Sequence, residues 1–192
     1  MQIVHYPHPT LRHLSKPLKR VDKELHGMVR EMFELMYAAK GVGLAANQVD
    51  LPYRLFIINL EADPEAGEEL VFLNPVLTSR KGNAEAEEGC LSLPGLYADV
   101  KRPERIVLNA YDLAGQEINM ELDGLFARVV QHEIDHLDGV LFIDRLSPTA
   151  EMAVKETLLE FEAQFAGHRE RREIPDDETI ARRLAELEKL RT

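Results

Sequence analysis

ELDGLFARVVQHEIDHLDG, residues 121–139, decides the fold. Its first residues close a β-rich run. After Asp123-Gly124 the apolar spacing becomes helical, through Leu125, Val129, His132 and His136, with a stop near Asp138-Gly139. A chain of strands that turns into a helix at such a junction reads as α+β. The same helix carries chemistry. His132 and His136 lie four apart, so both imidazoles share one face and can hold one ion, while Glu133 projects beside them without being a ligand. The neighbours Val129, Val130 and Leu137 are apolar, so this face is predicted to point inward, where unliganded imidazoles beside a carboxylate would be costly. The competing reading is a solvated helix face.

Upstream of this helix, RLFIINL (54–60), LVFLNPVLT (70–78), RIVLNAYD (105–112) and QEINMEL (116–122) read as strands, with DLAG (112–115) as the turn joining the last two. Before them, Leu25, Met28, Val29, Met32, Leu35, Met36 and Ala39 recur at helical spacing behind an Asp22 N-cap, with Gly41 as the C-terminal stop. Their methionines read as core filling. Downstream, the run VLFID (140–144) precedes Ser147-Pro148 and a further helix from about Thr149 to Phe165. Residues 1–166 are expected to form one catalytic domain, and 167–192 a charged helical extension. In that tail Ile180, Leu184, Leu187 and Leu190 make one narrow apolar stripe, predicted to dock on the body or on a second copy.

A single cysteine, Cys90, rules out an intramolecular disulfide and fits a reducing compartment. The net charge of −11 argues against a broad nucleic-acid surface. Much of the acidity is local, and EADPEAGEEL (61–70) reads as a solvated loop. No apolar run approaches the ~20 residues that span a bilayer, so no membrane partner is expected. The start, MQIVHYPHPT, lacks secretory and transit features, which makes the cytoplasm the default location.

Two imidazoles do not hold a catalytic metal securely, so a third ligand is required. A protease of the zincin kind would place it downstream, where His168, Glu156 and Glu160 are available, none in an informative context. Upstream, Cys90 lies in EGCLSLPG (88–95), and a thiolate with two imidazoles leaves a fourth position open. A lone cysteine is more often a small buried hydrophobe. Here Gly89 and Gly95 suggest a special backbone path, and Pro94 limits strand pairing. A third stretch, GVGLAANQ (41–48), reads as a helix stop and turn, or as a place where a peptide backbone comes close, with Gln48 offering an uncharged amide donor.

GVGLAANQ, EGCLS and QHEIDHLDG, in this order and spacing, together resemble the peptide deformylase family over roughly residues 1 to 165. The resemblance implies antiparallel β-sheets packed around a central helix that carries HExxH, plus an N-terminal helix and a C-terminal helical extension. It implies Cys90, His132 and His136 as metal ligands, with Fe(II) as cofactor and Zn(II), Ni(II) or Co(II) able to substitute. The implied reaction removes the formyl group from the initiator N-formylmethionine of nascent peptides. Glu133 would be general base and then acid towards a metal-activated water, while Gln48 and the Leu91 N–H would meet the oxyanion. Val42, Leu125 and Val129 are expected to form the methionine pocket, and the backbone of Val42, Gly43 and Leu44 to pair with the substrate. Glu88 resembles a family glutamate that pairs with an arginine, here Arg102, to position the Cys90 loop, and Asp135 is expected in a structural hydrogen-bonding role.

Two residues depart from relatives. Arg128 stands where some carry an apolar pocket residue, its stem expected at the pocket edge and its guanidinium in solvent or on an acid, and Tyr97 stands where some carry a basic one. A substrate that emerges at the ribosome implies transient ribosome contact, to which the acidic net charge lends no support. An HExxH metallopeptidase cutting internal bonds is the alternative enzyme. A non-catalytic module that keeps the fold would predict loss of Gln48, Glu133 or a ligand, and none is lost.

Overall fold

The computed structural model describes all residues from 1 to 192. Helix α1 spans Lys23–Ala38, and the Asp22 carboxylate caps it by accepting from the Leu25 N–H at 2.9 Å. Its Leu25, Val29, Met32, Phe33 and Met36 are buried, as the spacing requires. The stop differs from expectation. Lys40 takes the left-handed conformation (φ 56°), and the Gly41 N–H closes the helix by bonding to the Met36 carbonyl at 2.9 Å. Gly41 is needed for space instead: a Cβ there would lie 2.6 Å from the Leu91 side chain.

The main sheet has the order β1-β2-β3-β6-β7 and is antiparallel throughout. Its strands are β1 (Gly43–Ala45), β2 (Leu55–Ile58), β3 (Leu70–Lys81), β6 (Arg105–Tyr111) and β7 (Glu117–Asp123). The β6–β7 turn is held by Asp112, whose Oδ1 accepts from the Ala114 and Gln116 N–H groups, each at 2.8 Å. Strands β4 (Ala84–Cys90) and β5 (Leu93–Arg102) form a separate two-stranded sheet. This hairpin escapes a sequence reading because AEAEEG holds no large apolar or β-branched residue and puts glutamates on both faces. The effect expected of Pro94 is visible in its register: Gly89 faces Tyr97, Cys90 faces Leu93, and Pro94, Gly95 and Leu96 fall outside the pairing.

Helix α2 (Gly124–Leu137) follows β7 directly. One side of it, through Ala127, Val130, Ile134 and Leu137, packs on Phe56, Ile58, Phe72, Ile106 and Leu108 of the sheet. Each fully buried large apolar side chain there contributes roughly 1.5–3 kcal/mol of transfer free energy. That packing turns His132 and His136 towards the β4–β5 hairpin. The architecture is the expected α+β one, with antiparallel sheets around the HExxH helix.

Within the run at 140–144, Phe142 opens a 3-10 turn over Phe142–Arg145 and is buried. Helix α3 covers Pro148–Glu170, so the division expected at 166/167 falls inside a continuous helix. Helix α4 (Asp177–Arg191) docks on the body, with Ile180 and Leu184 buried. The expected stripe is corrected at its end. Leu190 is 52% exposed, and Glu188 and Arg191 take the inward positions instead. Both are satisfied: Glu188 meets His13 and Lys16, while Arg191 meets Asp22, Glu24 and the Tyr53 hydroxyl. No helix is long and apolar enough to cross a membrane.

Candidate active site

A cleft of about 720 Å3 opens between β1, α2 and the β4–β5 hairpin. At its floor the donor atoms of Cys90, His132 and His136 all lie within 4.8 Å of one another. The Cys90 sulfur is 3.2 Å from His136 Nε2, and the two imidazoles sit edge to face at 4.9 Å between centroids. A soft thiolate with two imidazoles is a donor set suited to a divalent first-row ion, and the convergence of three donors at one point is the geometry such an ion requires. The downstream candidates His168, Glu156 and Glu160 take no part in the cluster.

The histidines are held from behind. His132 Nδ1 meets Glu88 Oε2 at 3.0 Å, which leaves its Nε2 edge for an ion. The Asn47 side chain donates to the His136 backbone carbonyl and so ties the end of α2 to the turn that carries Gln48. Glu88 accepts a two-point contact from Arg102, at 2.6 and 2.8 Å, and Arg102 also donates to Asp135 at 2.6 Å. Arg145 adds a second guanidinium on Asp135. Burial would push the Glu88 carboxyl up, but the hydrogen bonds of His132 and Arg102 outweigh it and hold the group well below the usual carboxylate range.

Glu133 stands apart from these pairs. Its Oε2 is buried with no hydrogen-bond partner. Burial pushes its carboxyl up to about 7, against the pull of His132 and Arg102. A buried, unpaired carboxylate at the edge of an ion site has the environment of a proton acceptor working near neutral pH. Gly43 lies against it, since a Cβ at that position would be 2.6 Å from Glu133 Oε1 and 3.0 Å from Val129. Gln48 is oriented by its own turn: its Oε1 accepts from the Ala45 N–H at 2.8 Å. Its Nε2 is thereby left to face Cys90 (3.5 Å) and Ser92 (3.3 Å).

Of the expected binding residues, Val42, Gly43, Leu125 and Val129 line the cleft, as does Leu91 in the turn after Cys90. Leu44 does not, because its side chain is wholly buried in the core beneath α1. Only its backbone is available, and β1 is an edge strand of the sheet. Leu125 and Tyr97 stand 59% and 62% exposed at the mouth. Sequence reasoning missed Ser92, which lies within EGCLS but was given no role of its own, and Arg145, which lies in no motif.

The family model described as polypeptide deformylase matches residues 1–152. A peptide deformylase of Rhodopirellula baltica is 50% identical over 192 residues, covering all of this chain and 96% of the relative. One of Chromobacterium violaceum is 43% identical over 164 residues, 85% of this chain and 97% of its own. Among solved structures, a plant peptide deformylase superposes with a TM-score of 0.85 at 38% identity, over 92% of this chain and 95% of that one. A Plasmodium falciparum peptide deformylase gives 0.84 at 36% identity, over 86% and 98%. With the family model spanning most of the chain, and relatives at this identity matching along nearly their whole length, the chain belongs to the polypeptide deformylase family.

Proposed function

We propose that this protein removes the N-formyl group from the initiator N-formylmethionine of newly synthesised polypeptides, releasing formate and a free amine. The observation that carries the reading is the meeting of Cys90, His132 and His136 at the floor of a cleft where Glu133 lies unpaired and the Gln48 amide is already aimed. Cys90, His132 and His136 would hold Fe(II), with Zn(II), Ni(II) or Co(II) suited to the same donors. When bound, the ion lowers the pKa of a water and so supplies a nucleophile near neutral pH.

The chain's own residues do the rest. Glu133 takes the proton of the attacking water and delivers it to the departing amine. The Gln48 side-chain amide and the Leu91 N–H donate to the oxygen of the formyl group as it becomes an oxyanion. A preorganised donor of this kind is worth about 3 kcal/mol. An uncharged amide suits the place, because a lysine or arginine would compete with the ion for the nucleophile. The substrate backbone adds as a strand to the free edge of β1 at Val42, Gly43 and Leu44, and the methionine side chain enters between Val42, Leu125 and Val129. The close approach of Gly43 to Glu133 and Val129 narrows the site and favours the one-carbon formyl group over longer acyl chains. Glu88 and Arg102 hold His132 and the Cys90 strand in place.

A cytoplasmic location and transient ribosome contact belong to the same reading, because formylated chains emerge at the ribosome. The test is formate release from a formyl-methionyl peptide by iron-loaded, anaerobically handled protein, beside Glu133→Ala with metal content measured on both. The expected result is release by the wild type and loss in the variant with metal retained. A wild type that is inert with its metal bound would overturn the reading.

A further inference from the structure

The metal donors belong to two bodies that no shared sheet joins. Cys90 ends β4 in the two-stranded sheet, whereas His132 and His136 ride on α2 against the five-stranded one. The spacing of thiolate and imidazoles is therefore set by side chains that tie hairpin to helix. Apart from the metal donors themselves, one such tie is Arg102 to Asp135 at 2.6 Å, and another is Gln131, donating to the Pro103 carbonyl just past β5 at 2.9 Å. The remaining ties come from one residue. Arg128, a turn before His132, donates through Nη1 to Glu88 Oε1 (2.6 Å) and the Val100 carbonyl (2.8 Å), and through Nη2 to the Ala84 carbonyl (2.8 Å).

The three acceptors span the hairpin. Ala84 begins β4, Glu88 lies two residues before Cys90, and Val100 is on β5 opposite Ala86. Arg128 also completes the grip on Glu88. Its Oε1 accepts from Arg102 and Arg128, while Oε2 accepts from Arg102 and from His132. With Oε1 occupied by two guanidiniums, the carboxylate cannot turn, and Oε2 stays on His132 Nδ1. The Arg128 side chain is only 11% exposed, so water competes little for these bonds.

We propose that Arg128 is a positioning residue of the metal centre: it staples the Cys90 hairpin to the histidine helix and fixes Glu88 on His132. This rests on the metal-site reading above. A planar fork reaches three acceptors at once, which a lysine ammonium at the end of a flexible stem does not reproduce.

Co(II) is the probe, because ligation by a thiolate gives it an absorption band that reports donor geometry. Wild type, Arg128→Met and Arg128→Lys are each titrated with Co(II) against a competing chelator, and the metal-free proteins are compared by circular dichroism. Arg128→Met is expected to keep the metal-free fold, bind cobalt about 10–100-fold more weakly and alter the thiolate band, with Arg128→Lys between the two. Wild-type affinity and spectrum in Arg128→Met would overturn the proposal, even if the metal-free protein were less stable. Should Arg128→Met not fold, Arg128→Lys decides by the same two readouts, and no change in either would overturn it. A wild type that takes up no cobalt would overturn the metal reading and this proposal together. Uptake by wild type with unaltered variants would overturn this proposal alone.

Discussion

Glu133 and Gly43 show how a single residue is constrained by what lies against it. A Cβ at Gly43 would lie 2.6 Å from the Glu133 carboxylate and 3.0 Å from Val129, so a methyl group must displace one of them. Gly43→Ala is expected to lower kcat/KM for a formyl-methionyl peptide at least tenfold, on the order of the 1.4 kcal/mol that a small displacement of a catalytic group costs, while thermal unfolding changes little. Gln48 acts differently, because its amide is aimed at the site rather than packed against it. Gln48→Ala is expected to lower kcat by about 100- to 1000-fold with a much smaller change in KM, which steady-state kinetics would separate. Equal losses through KM alone would mean that the amide binds substrate without meeting the oxyanion.

At the scale of elements, legibility in the sequence follows the source of order. Helix α2 could be read because Leu125, Val129, His132 and His136 recur at the helical period, whereas the side that packs on the sheet, through Ala127, Val130, Ile134 and Leu137, emerged only in the structure. Strands β2, β3, β6 and β7 could be read from β-branched and apolar runs. The β4–β5 hairpin could not, since AEAEEG carries charges on both faces and the pair is held by arginines, histidine and carboxylates from elsewhere in the chain. The ligand it bears was legible only through the EGCLS motif.

That dependence on charge has a pH consequence. The pKa of Glu88 is lowered in the folded state, with burial opposing and the His132 and Arg102 hydrogen bonds prevailing. Its contribution to stability is therefore full above the unfolded value of about 4.3 and is lost as pH falls below it. Denaturant unfolding of the metal-free protein is expected to show stability dropping more steeply below about pH 4 in the wild type than in Glu88→Gln. Parallel curves would show that the carboxylate is not held by its partners.

Across the whole molecule, the tail binds the two ends of the chain together. The Arg191 guanidinium, 1% exposed, donates to the Tyr53 hydroxyl at 2.8 Å and pairs with Asp22 and Glu24, and Tyr53 in turn donates to the Leu187 carbonyl at 3.0 Å. A stripe of leucines could not reveal this, because the acids that satisfy Arg191 lie at the start of α1, at the far end of the sequence. Arg191→Ala removes a buried side chain together with its bonds to Tyr53, Asp22 and Glu24, and is expected to lower the thermal unfolding midpoint, with the activity of the remaining folded protein largely kept. A loss of activity in the folded fraction would assign the tail a part in the site.

The central claim is chemical: the cleft formed by the sheet, α2 and the hairpin acts on a formyl amide and on no other bond. Mass spectrometry of one methionyl peptide sequence, incubated with the iron-loaded protein in N-formylated, N-acetylated and free-amine forms, tests it most directly. The account predicts that the formylated peptide alone changes, losing its formyl group and nothing more. Cleavage of the acetyl group at a comparable rate, or of any internal peptide bond, would contradict it.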